Sequence, residues 1–95
     1  MTVADDLRAA RALIDTPEKW CKDRYQDDDG RLCASGALRK IGAEPFGHPS
    51  WDALFEQAKA VAQVASVSEF NDRPQTTHAD ILALFDRAIQ AAEAS

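Results

Sequence analysis

Residues 70–89 read F-N-D-R-P-Q-T-T-H-A-D-I-L-A-L-F-D-R-A-I. Pro74 cannot continue a helix, because it has no N–H and its ring clashes with the preceding turn. Three residues later, Thr77 and Asp80 form a T-x-x-D capping pair in which each side chain meets the other's backbone N–H. Ile81, Leu84, Phe85, Ala88, Ile89 and Ala92 then recur at helical spacing, which puts one apolar stripe toward a core. Asp80 in the first turn and Arg87 toward the end suit the helix dipole. The stretch predicts an amphipathic helix and, with it, a helical fold. Asn71-Asp72-Arg73-Pro74 ahead of it reads as an Asx-type turn.

Working upstream, Ser50 is the expected cap of a third helix. Trp51, Leu54, Phe55, Ala58, Val61, Ala62 and Ala65 give it an unbroken apolar face, ending near residues 66–68. The loop before it, 43–50, holds Pro45, Gly47 and Pro49. A short helix over 34–41 is expected to stop at Gly42. Gly36 lies inside that helix, where it costs about 1 kcal/mol relative to alanine; a close helix–helix approach is the expected reason. The first helix, 3–14, has Thr2 as cap with Asp5 as its reciprocal partner. Val3, Leu7, Ala10 and Ile14 form its stripe. Thr16 and Pro17 begin a short turn through Trp20 and Cys21. Residues 22–32 are the least helical part. Asp28-Asp29-Gly30 is hairpin-turn chemistry, so 24–27 could pair with 31–33, given helices to pack on.

Composition narrows the function classes. Ninety-five residues with 45% hydrophobic and 28% charged side chains describe one ordinary globular domain over 1–95. Mean hydropathy is −0.38, and no apolar run approaches the ~20 residues of a membrane span. Met1-Thr2-Val3-Ala4-Asp5-Asp6 does not read as a secretory signal. The expected location is the cytoplasm. A net charge of −5 disfavours non-specific nucleic-acid binding, since a phosphate backbone rewards cations. Lys19, Lys22, Arg24, Arg31, Arg39 and Lys40 cluster within residues 19–40, but Asp23, Asp27, Asp28 and Asp29 interrupt them. That is a mixed solvated face rather than a basic patch.

Cys21 and Cys33 are too few for a disulfide framework. A nucleophile reading starts from Cys33, which sits where a turn enters a helix, a position that lowers a thiol pKa. His78 could serve as its base, with Asn71 or Asp72 as the orienting group. The bland alternative makes Cys33 a small buried residue and His78 a polar residue of the first helical turn. Metal chemistry has weaker support. Cys21, Cys33, His48 and His78 contain no close ligand pair of the zinc type. Asp27-x-Asp29-Gly30 resembles the middle of a calcium loop, but the first and last ligand positions would be Tyr25 and Gly36. No phosphate-binding glycine motif occurs. Trp20 and Trp51 read as core or core-edge residues.

Several short motifs run the length of the chain: Ala10-Arg11-Ala12-Leu13-Ile14, Trp20, Cys33-Ala34-Ser35-Gly36-Ala37-Leu38, Asn71-Asp72, Thr77-His78-Ala79-Asp80-Ile81 and Asp86-Arg87-Ala88-Ile89. In this pattern the chain resembles a family of small bacterial and phage proteins classed as a domain of unknown function. Their motifs are A-R-x-L-I, C-x-x-G-A-L, W-N-D, T-x-x-[DE]-[IVL] and D-R-A-I. Leu32 stands before Cys33, and Phe70 before Asn-Asp, where that family often has Trp. Both swaps keep bulk and apolarity, which suits packing roles. The resemblance implies a helical single domain and groups Cys33, Gly36, Asn71, Asp72 and Thr77; it implies no activity.

The fold expected from the sequence is all-α, a small bundle of about four helices with room for a short β-hairpin near Gly30. The leading functional reading is a non-enzymatic cytoplasmic binding or interaction module without cofactor or metal. Its partner would be another protein or a second copy, and its binding residues Asn71, Asp72 and His78. The alternative is a Cys33-dependent hydrolase or transferase with His78 as base and Asn71 as the orienting group.

Overall fold

The computed structural model describes residues 2–43 and 47–94. Among them, five α-helices follow one another: α1 (Val3–Ala12), α2 (Ala34–Lys40), α3 (Pro49–Val61), α4 (Val67–Asp72) and α5 (His78–Ala94), with a 3₁₀ turn at Pro17–Lys19. The all-α bundle stands, with one helix more than the patterning predicts.

The end helices form as their caps direct. Thr2 Oγ1 accepts from Asp5 N at 3.0 Å, and Asp5 Oδ2 accepts from Thr2 N at 3.4 Å. Thr77 and Asp80 do the same at the start of α5, at 3.2 and 2.9 Å. Ile81, Leu84, Phe85, Ala88 and Ile89 are all buried. This face packs on α1 and α3, while α2 lies against α1 and α4 bridges α2 and α3. The buried apolar residues form one cluster around Phe85, Leu7, Leu38 and Leu54.

Five expectations change. His48, not Ser50, caps α3: its Nδ1 accepts from Ser50 N at 3.1 Å, with Pro49 at the first helical position, where a missing N–H is harmless. Part of the loop before it, including Pro45, falls outside the described residues.

The apolar run from Trp51 also stops at Val61 instead of continuing past Ala65. Ser66 starts α4 there, accepting from Glu69 N at 3.0 Å while Glu69 Oε2 reaches back to Ala65 N at 2.9 Å. The break turns Val64 and Val67 into the core and leaves Val61 45% exposed. Asn71 and Asp72 are consequently the last residues of a helix, not an Asx turn.

The hairpin is reduced to isolated bridges. Gln26 pairs antiparallel with Leu32, and Leu32 also pairs parallel with Trp20. Asp27 accepts from both Asp29 N and Arg31 N, at 3.0 and 2.8 Å, so side-chain bonds take over from a ladder. Gly36, finally, faces a loop rather than a helix. A Cβ there would stand 1.9 Å from the carbonyl oxygen of Tyr25.

Candidate functional site

The polar centre of the molecule is Asn71, which has no solvent exposure. α4 delivers it to a junction between the 20–24 loop and the start of α2. Its Oδ1 accepts from Trp20 Nε1 at 2.7 Å and from Ala34 N at 3.1 Å. Its Nδ2 donates to the Cys21 carbonyl at 3.1 Å and to Asp72 Oδ1 at 2.9 Å. An indole N–H can only donate and a carbonyl can only accept, so the amide orientation is settled by its partners. All four of its hydrogen-bonding positions are used. The Ala34 bond also satisfies one of the donors that a helix start leaves without an intrahelical partner.

Asp72 extends the junction outward. Its Oδ1 accepts from Asp23 N at 2.9 Å, which holds Asp23 at a φ of 70°, a conformation that non-glycine residues seldom adopt. Lys22 completes the loop's attachment, donating to the Arg73 carbonyl at 2.6 Å and lying 5.7 Å from the centroid of the Trp20 ring.

His78 also lies against Trp20. The two rings are tilted by 51° with centroids 5.8 Å apart. His78 Nε2 lies 2.7 Å from the Ile14 carbonyl, and since that oxygen only accepts, Nε2 carries the proton. The imidazole thus closes the end of α1 against the start of α5.

Cys33 is buried and caps α2, its Sγ accepting from Gly36 N at 3.2 Å. Burial pushes the thiol pKa up, and the N–H groups of Gly36 and Ser35 pull it down by less; the Asp72 charge adds to the rise. The helix-start effect that would activate a thiol is therefore outweighed by desolvation. Beside Cys33 lies a shallow recess of about 260 Å³ lined also by Asp23, Arg24, Tyr25, Ser68 and Asp72. Cys21 donates to the Arg31 carbonyl at 3.2 Å, and burial, then Asp27, raises its pKa as well.

The structure brings Asn71 and Asp72 into direct contact and places Ala34, next to Cys33, on the same amide. Among the described residues, no hydrogen bond joins Cys33 to His78; each has a different backbone partner. No group of three or more His, Cys, Asp or Glu among the described residues is arranged to hold a metal ion. Sequence reasoning missed Trp20 as the partner of Asn71. The motifs contained both residues, but nothing local links positions 51 residues apart.

A family model described as Family of unknown function (DUF6197) matches residues 1–91. No curated protein matches the chain, and no solved structure does.

Proposed function

The chain belongs to this family of unknown function, and from that premise we propose that it is a non-enzymatic binding module of the cytoplasm, acting on a protein partner or a second copy of itself. The observation that carries this reading is the engagement of Asn71. All four hydrogen-bonding positions of its amide are taken by neighbours within the chain, so nothing remains to orient an imidazole. The environments of Cys33 and His78 support the same reading. A nucleophile needs a base within hydrogen-bond reach and a thiolate near neutral pH. Here the thiol caps a helix with a raised pKa, and the imidazole N–H is held by Ile14. A small helical body held by such a junction is a rigid frame for presenting a surface.

Alkylation tests this reading. In a Cys21→Ser background, iodoacetamide labelling of Cys33 is followed by intact mass across pH 7 to 10, folded and in urea. The expected outcome is slower labelling in the folded protein at every pH, with its alkaline rise displaced above the ordinary thiol value of 9.0. Fast labelling of the folded protein near pH 7 would restore the Cys33 hydrolase or transferase.

A further inference from the structure

Val61 is the odd residue of α3. Leu54 and Ala58 on the same stripe are fully buried, yet Val61 is 45% exposed. It borders a recess of about 260 Å³ between the end of α4 and the first turns of α5. The recess is floored by Phe70 and Leu84, which are 3% and 1% exposed. Arg73 and Arg87 form its cationic walls.

Three of the seven arginines, Arg39, Arg73 and Arg87, hold no ion pair among the described residues. Arg39 lies over the Tyr25 ring at a different recess, while Arg73 and Arg87 share this one. Arg8, Arg11, Arg24 and Arg31 each have a carboxylate partner. Neither Arg73 nor Arg87 has one among the described residues, in a chain with 16 acidic residues and 11 basic ones. Both are tethered by their inner nitrogen instead. Arg73 Nε donates to Thr76 Oγ1 at 3.1 Å, and its guanidinium lies 4.5 Å from the Phe70 ring centroid. Arg87 Nε donates to Gln57 Oε1 at 3.2 Å. Each tether leaves the terminal nitrogens as a pre-oriented fork, the geometry that receives a carboxylate on two parallel bonds. Asp80 also lines the recess but pairs with neither arginine; its Oδ2 accepts from Thr77 N at 2.9 Å.

We propose that this recess binds a carboxylate carried on a short apolar group. The guanidinium forks supply the counter-charge, and Phe70, Leu84 and the exposed face of Val61 supply the apolar surface. Asp80 opposes any anion in the recess, so binding there depends on the two guanidinium groups outweighing it. A recess of about 260 Å³ suits a short ligand such as hexanoate or one leucine residue with its carboxylate. The source is then either a free short-chain acid or the C-terminal residue of a polypeptide. The proposal rests on the binding-module reading and gives that reading a site.

The test is a titration of the intact protein followed by NMR at the Val61 methyls and the Arg73 and Arg87 Nε–H groups. The ligands are hexanoate, N-acetyl-leucine, and the neutral counterparts hexan-1-ol and N-acetyl-leucine amide. Saturable shifts at all three residues are expected for the acids, with about tenfold weaker binding of the neutral forms, as loss of one charge-assisted pair predicts. R73Q and R87Q should each weaken the acids by about tenfold while leaving the neutral forms' binding and a cooperative unfolding transition in place. V61T should weaken acids and neutral forms alike. Tighter N-acetyl-leucine points to a chain terminus, and tighter hexanoate to a free acid. Equal binding of acids and neutral forms, wild-type affinity in both arginine variants, or no saturable shift at Val61 overturns the site. Such a failure beside a protected Cys33 removes this recess alone; a reactive Cys33 removes the module reading whatever the titration shows.

Discussion

Asn71 accepts and donates two hydrogen bonds each and has no contact with solvent. Asn71→Ala would leave the Trp20 indole N–H, the Ala34 N–H and the Cys21 carbonyl without that partner. Each such group costs about 1–3 kcal/mol when buried. We expect a loss of about 3 kcal/mol or more in urea unfolding, with little change in the denaturant slope. Asn71→Asp should be no milder. A carboxylate still accepts from Trp20 and Ala34, but it cannot donate to Cys21 and it sets a second charge against Asp72. A loss below about 1 kcal/mol in both variants would mean that the junction does not hold the fold together. At this scale the residue types were legible and their employment was not. The sequence marked Asn71, Asp72 and His78 as polar residues near a helix start. Their partners lie as far away as Ile14, beyond the reach of any local pattern.

Among the elements, boundaries written in caps were readable and boundaries set by packing were less so. Thr2 with Asp5, and Thr77 with Asp80, are complete within four residues, and both helices begin there. Ser66-x-x-Glu69 carries a similar signal, yet the apolar spacing of α3 runs right up to it, at Ala65, and masks it. Burying Val64 and Val67 decides the matter, because breaking the helix aims both side chains at the core. Gly36 shows the limit from the other side. Helix propensity alone makes Gly36→Ala favourable by about 1 kcal/mol. The added methyl would lie 1.9 Å from a backbone oxygen of Tyr25, however, and backbone cannot rotate away as a side chain can. We expect a net loss of about 2–3 kcal/mol, read from the urea midpoint, together with shifted Tyr25 amide resonances. A stabilised variant would show that the 20–33 loop yields freely.

Over the whole molecule, α5 is the axis on which the fold is assembled, with α1 and α3 both packed on its buried face. Phe85, fully buried there, is the side chain whose loss should be felt most. Phe85→Ala costs about 3–5 kcal/mol in comparable cores, against the roughly 5–14 kcal/mol that a chain of this length commands at 0.05–0.15 kcal/mol per residue. We expect a melting temperature lowered by well over 10 °C, at about 4–8 °C per kcal/mol, or no cooperative transition at all. The pairs that also join α1 to α5, Arg8–Glu93 and Arg11–Asp86, are about half exposed and contribute about 1 kcal/mol each. The helical class, the amphipathic faces and the terminal caps were determined by the sequence alone, because spacing and capping act within a turn or two of helix. Tertiary structure alone decided that α3 breaks at Val61, that Gly36 faces a loop, and that Asn71 is enclosed while Arg73 and Arg87 are left open. Those outcomes depend on which distant groups meet, and that is settled only when the apolar faces close on one another and oblige each buried polar atom to find a partner.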